Sequence, residues 1–150
     1  MSGQVEAIFV AAERGELPAP VDRVRARAGR GLEGNRYYWA EGDAPPGCAV
    51  TLIAAEAMDA VAQDGDVAIE PAATRRNVLT RGIDVNELVG KRFRVGEVEC
   101  EGVELCEPCL GLARLVDEFG VLRGLVHRGG LRADVLTDGE IAVGDAVEAL

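Results

Sequence analysis

Two cysteines separated by Glu107 and Pro108, in the run Cys106-Glu107-Pro108-Cys109, are the residues of this chain best suited to chemistry. They fall between a segment that reads as strand and one, Leu110 to Phe119, with Leu112, Leu115, Val116 and Phe119 at helical spacing. A thiol at a helix N-terminus faces unpaired backbone N–H groups and the positive end of the helix dipole, which favour the thiolate. Cys109 is better placed for this than Cys106. A thiolate is a soft metal ligand and also a nucleophile that can accept or pass sulfur. Three other readings stand beside it: a zinc site drawing on Cys100, Cys106, Cys109 and His127, a redox dithiol, and thiols that merely pack in the core. The spacing matches no common zinc finger, and the βαβ setting of a dithiol oxidoreductase is missing.

Basic residues cluster twice in a chain whose formal net charge is -10. Arg75, Arg76 and Arg81 lie in the run from Thr74 to Gly82 with Asn77 and Thr80, and Arg128 and Arg132 lie around Gly129-Gly130 beside His127, the single histidine. Guanidinium groups pair bidentately with phosphate, and a glycine turn exposes backbone N–H groups to an anion. The alternative for the first cluster is a solvated strand face offset by nearby carboxylates. For the second it is an ordinary loop with a structural histidine. A further loop, Gly29 to Gly47, carries Arg36, Tyr37, Tyr38 and Trp39 and reads as ordered but irregular.

The elements that must position these groups are mostly strands. Val5 to Val10 reads as a strand and Gly15 to Pro20 as a loop, while Val21 to Ala28 alternates so that its arginines share one face. Cys48 to Ile53 reads as a buried strand, Ala54 to Gln63 as a helix ended by Asp64-Gly65-Asp66, and Arg76 to Arg81 as strand and turn. Lys91 to Leu105 reads as a hairpin with Val95, Val98, Cys100 and Val103 as core candidates. Leu131 to Leu136 and Ile141 to Leu150 read as a final strand pair joined at Asp138-Gly139, a strong hairpin signal. Short strands with two or three helices and no strand-helix rhythm suggest a mainly β fold, a closed or nearly closed barrel. At 150 residues the chain is expected to be one domain over 1–150. Its charge disfavours nucleic-acid and anionic-membrane surfaces. No apolar run approaches a membrane span, and the start lacks the pattern of a secretory signal, so a cytoplasmic location is expected.

Three blocks, Gly31 to Tyr37, Arg76 to Phe93, and Leu105 to Cys109 followed by His127 to Ala133, resemble in order and spacing the MOSC domain. That module is found in molybdenum cofactor sulfurases and in small stand-alone bacterial proteins, and the resemblance covers most of residues 29–150. It implies a β-barrel that binds molybdenum cofactor (molybdopterin). Cys109 would be the catalytic residue and molybdenum ligand, with Arg76, Asn77, Arg128 and Arg132 as pterin-phosphate contacts and Thr80 and His127 as lesser ones. It also implies either a reductase of N-hydroxylated small molecules, fed by a flavin or iron-sulfur partner, or a carrier delivering sulfur or cofactor to an accepting enzyme through a Cys109 persulfide. Asn35 stands where the family often has an acid. Pyridoxal phosphate belongs to the desulfurase domain of cofactor sulfurases, and no lysine here has a recognisable Schiff-base setting.

Overall fold

The structure, a computed structural model, describes residues 2–11, 19–35, 38–39, 44–59, 76–105 and 130–150. Seven strands close a barrel: β1 (Ser2–Val10), β5 (Val50–Ala54), β6 (Val78–Arg81), β7 (Arg92–Val95), β8 (Val98–Leu105), β9 (Leu131–Val135) and β11 (Ala146–Ala149). Their order is β11-β7-β8-β9-β5-β6-β1, with β1 returning to pair with β11. A ring of seven strands cannot be antiparallel throughout, because strand direction must be restored after one circuit. The single parallel pair is β5–β6, in register from Leu52↔Val78 to Ala54↔Thr80. Parallel neighbours need a long crossover, usually helical. The chain between Ala54 and Val78 supplies it, and residues 55–59 are helical.

β2 (Ala19–Val21) extends the sheet beyond β1, and β3 (Arg23–Arg27), β4 (Gly31–Leu32) and β10 (Gly139–Ala142) form a second sheet in the order β10-β3-β4. Alternation in β3 behaves as its sequence implies. Val24 and Ala26 are buried, whereas Arg23, Arg25 and Arg27 reach Glu140, Glu33 and Asp138 on the outer face. The hydrogen bond to Glu33 raises the Arg27 pKa, and the Ala28 N–H holds that of Asp138 below the ordinary carboxylate value. The small sheet lies against the barrel end near the β7–β8 turn, where Gly139 abuts Glu97 and Val98. Its Val24, Ala26, Leu32 and Ile141 join Ile8, Leu52, Phe93 and Leu131 in one apolar cluster. Each fully buried Leu, Ile, Val or Phe there contributes about 1.5–3 kcal/mol relative to exposure. The opposite end receives Leu88 from the 3-10 turn Val85–Leu88, capped by the Asp84 carboxylate on the Asn86 N–H.

Four expectations are corrected. Asp138-Gly139 does not turn a hairpin: β9 pairs with β8 and β5, whereas β10 pairs with β3. The Asp138 carboxylate accepts the Ala28 N–H at 2.7 Å, so the step carries the chain from the barrel into the small sheet. Ile141 to Leu150 is two strands in different sheets, divided where the chain turns at Gly144 with φ 95°. Ala19 and Pro20 are strand rather than loop, and proline is tolerated because β2 pairs on one side only. Val103 is only half-buried, because the β8–β9 register shifts between Gly102 and Glu104 and leaves it as the extra residue of a bulge.

Cys100 is 1% exposed inside the barrel, and burial pushes its thiol up to about 12. Its neutral form therefore favours the fold fully below the unfolded thiol's pKa, a contribution lost as pH rises towards the folded value. Iodoacetamide at pH 8 is expected to leave Cys100 unmodified in the native protein and to alkylate it in denaturant, read by peptide mass spectrometry. Modification of the native chain would contradict this burial.

Candidate functional site on the outer wall of the barrel

The strands β8, β9, β5 and β6 lie side by side, and their outward residues form a row. On β9, Leu131 and Ala133 point into the core while Arg132 between them is exposed. Arg132 stands in register with Thr51 on β5 and, because of the bulge, with Glu104 on β8. Thr51 in turn meets Asn77 at the start of β6. Its Oγ1 donates to Asn77 Oδ1 at 3.1 Å and accepts from the Asn77 N–H at 3.0 Å, and its own N–H reaches Asn77 Oδ1 at 3.2 Å. The Asn77 side-chain amide donates to the Phe9 carbonyl at 3.0 Å. Asn77 thus clasps β5, β6 and β1 together where the parallel ladder begins, and satisfies groups that would cost free energy if buried unpaired.

These contacts sort the candidates. Arg132 and Thr51 share the outer wall, and Arg76 is half-buried immediately before Asn77. Asn77 is 7% exposed and committed to the clasp. Thr80 is fully buried, its hydroxyl directed to the Ile53 carbonyl, so it has no face for a ligand. Arg81 stands apart from Arg76 at the other end of β6. It pairs with Glu6 at 2.8 Å and Asp59 at 3.1 Å, and those hydrogen bonds, Glu6 first, raise its pKa. That part of the basic cluster is a solvated strand face offset by carboxylates. Cys106, Cys109, His127 and Arg128 lie outside the described residues, as do Arg36, Tyr37, Arg75 and the segment Leu110 to Phe119. In sequence the segment that carries Cys109 lies between the end of β8 at Leu105 and the start of β9 at Leu131, and these two residues are cross-strand partners beside Arg132.

Two features escaped the sequence reading. Thr51 sits in an apolar run and resembles a core filler, but the outward phase of its strand makes it the link between Arg132 and Asn77. Asn35 accepts the Ala11 N–H at 3.0 Å through Oδ1 and is buried. An amide oxygen accepts there as a carboxylate oxygen would, so asparagine in place of an acid keeps this bond, without the charge that would strengthen it.

An anionic pterin phosphate fits the described wall in one respect. Arg132 is 47% exposed, and its carboxylate partner among the described residues, Glu104, is 3.9 Å away and itself 63% exposed. A pair so open holds weakly, leaving the guanidinium available to a more strongly charged anion. Among the described residues no group of three or more His, Cys, Asp and Glu could hold a metal. The zinc alternative would need Cys100, which is enclosed and disfavoured as a thiolate.

A closed barrel with one parallel seam, carrying an open arginine where β8 ends and β9 begins, defines the class. The MOSC domain model matches residues 40–148, and the chain belongs to that family, which is linked to molybdenum-cofactor binding. Its fold is similar to that of the YuaD protein from Bacillus subtilis, at 17% identity and a TM-score of 0.85, covering 99% of this chain and 96% of that one. YiiM from Escherichia coli is 20% identical with a TM-score of 0.72, covering 100% of this chain and 70% of that one. YiiM from Geobacillus stearothermophilus is 15% identical with a TM-score of 0.77, covering 99% and 75%. No curated protein matches the chain. Among the described residues no helix is long and apolar enough to cross a membrane.

Proposed function

We propose that this protein binds molybdenum cofactor on the β8-β9-β5-β6 wall and reduces N-hydroxylated small molecules, taking electrons from a separate flavin or iron-sulfur protein. The thiolate of Cys109 would ligate the metal, and Arg132, with Arg76 and Arg128, would hold the pterin phosphate. The observation that carries this reading is the position of Arg132, loosely paired and beside Leu105 and Leu131, the strand ends that flank the Cys109 segment in sequence. When bound, the cofactor supplies a metal centre suited to oxygen-atom transfer. The chain's own part is orientation: the Asn77–Thr51 clasp fixes β5 against β6, and the ladder from β5 to β9 fixes the Arg132 backbone.

Protein expressed in a host that makes the cofactor should contain close to one molybdenum and one pterin per chain, by elemental mass spectrometry and fluorescence of the oxidised pterin. It should turn over an N-hydroxylated compound repeatedly when an electron-donating partner is supplied. Protein that acquires neither metal nor pterin would refute the cofactor reading, and loaded protein without turnover would refute the reductase.

A further inference from the structure

On the outer face of the small sheet lies a cleft of about 420 Å³, lined by Arg27, Ala28, Arg30, Glu33, Tyr38 and Asp138. Its volume is that of a small-molecule pocket. Apart from Ala28 and the Tyr38 ring, every lining side chain is charged, two cations against two carboxylates. The cleft is therefore locally neutral in a chain of net charge -10. Two of its charges are anchored in the same way. Glu33 Oε2 accepts from Arg27 Nε at 2.9 Å, and the Ala28 N–H donates to Asp138 Oδ1 at 2.7 Å. The other ends of the two anchored groups, Arg27 Nη1 and Asp138 Oδ2, face each other at 3.6 Å, too far apart for a hydrogen bond. Both side chains are partly exposed, so a solute can reach the gap.

We propose that this cleft binds a polar α-amino acid as its zwitterion, the ligand carboxylate on the Arg27 guanidinium and the ligand ammonium on Asp138 Oδ2. An α-amino acid carries both charges on one carbon and presents them side by side, as Arg27 and Asp138 do in the opposite sense. It thereby replaces one long ion pair with two charge-assisted hydrogen bonds. A simple anion at Arg27 is repelled by Asp138 and Glu33, and a simple cation at Asp138 is repelled by Arg27. The charged walls favour a polar ligand side chain, because an apolar one would take polar groups out of water without replacing their partners. These contacts are open to solvent, so the affinity should be millimolar. Nothing in this site depends on the cofactor, since it uses only the small sheet and the chain beside it.

L-Glutamine is the probe, with N-acetyl-L-glutamine as the form that lacks the ammonium and L-glutaminamide as the form that lacks the carboxylate. In amide-detected NMR titrations of the full chain at neutral pH, glutamine should shift the signals of Ala28, Arg30, Tyr38 and Asp138 saturably. Each blocked form should bind about tenfold more weakly or worse, the scale of a lost hydrogen bond to a charged group. Asp138→Asn keeps an oxygen for the Ala28 N–H, so the turn is retained, and its affinity for glutamine should fall about tenfold. Arg27→Gln should show a similar loss, whereas Arg23→Gln, at the other end of β3, should bind as the native chain does. Equal binding of either blocked form, unchanged affinity in Asp138→Asn or Arg27→Gln, or no saturable shift at these four residues would overturn the proposal.

Discussion

Replacement of Gly130 by alanine is expected to cost about 3 kcal/mol or more, lowering Tm by on the order of 10 °C for a domain of this size. Two independent costs meet at this residue. Its φ is 106°, a conformation L side chains rarely adopt, and a Cβ there would run into the Leu52 carbonyl oxygen of the neighbouring strand. Strain alone costs about 1–3 kcal/mol, and the clash must then be relieved by moving β9 from β5. Gly34→Ala is the control: its φ is 85°, but nothing lies within 4 Å of an added Cβ, so only strain is paid there. Thermal denaturation of the two variants measures the difference. Equal losses would mean that the close approach of Gly130 to Leu52 does not constrain the wall. The position also directly precedes β9 and Arg132, so the same substitution should disturb cofactor loading at temperatures where the variant remains folded.

How much of this was legible in the sequence follows from which forces are local. The alternation of β3 and the β7–β8 hairpin were readable because burial with period two and a tight turn act over a few residues. The parallel seam between β5 and β6 was not, because it is a condition on the whole ring. No residue near Leu52 or Val78 announces that seven strands will close. Asp138-Gly139 misled for the opposite reason. The step has strong local turn chemistry, and tertiary bonds to Ala28 and the pairing of β10 with β3 override it. The candidate site shows the same division. Arg132 was recognisable from its charge and its neighbouring glycines. Asn77 carried the right chemistry for an anion contact, yet its side chain is consumed by Thr51 and Phe9. Thr80 looked polar and available but lies on the inward phase of β6. Polarity marks a residue as able to bind; only strand phase says towards what.

This division gives the bulge of β8 a particular place in the site. Had β8 run regularly past Gly102, Val103 would stand opposite Arg132 and every later residue would fall on the other face. The extra residue instead sets Glu104 against Arg132 and pairs Leu105 with Leu131. Gly102 itself is held against the Leu88 carbonyl by the absence of a side chain, so the bulge is anchored to the 3-10 turn that closes the barrel. Bulges commonly re-aim side chains next to functional sites, and this one fixes the phase in which β8 ends at Leu105.

With the phase set this way, Cys109→Ala is expected to lower molybdenum content at least about tenfold in protein from a cofactor-producing host, with Tm close to that of the native chain. The metal loses its only proposed protein ligand, whereas the pterin keeps its arginines, so pterin content should fall much less than molybdenum. Arg132→Gln should differ, weakening retention of molybdenum and pterin together by about tenfold, the scale of a lost charge-assisted bond. Cys48→Ala and Cys106→Ala should leave loading intact. Cys48 belongs to the loop ahead of β5, and Cys106 is the thiol that the sequence pattern sets further from the expected helix start. Elemental mass spectrometry with pterin fluorescence on the same samples reads all four variants. Unchanged molybdenum in Cys109→Ala would remove the thiolate ligand from the proposal, and loss in Cys106→Ala instead would move it three residues back along the chain.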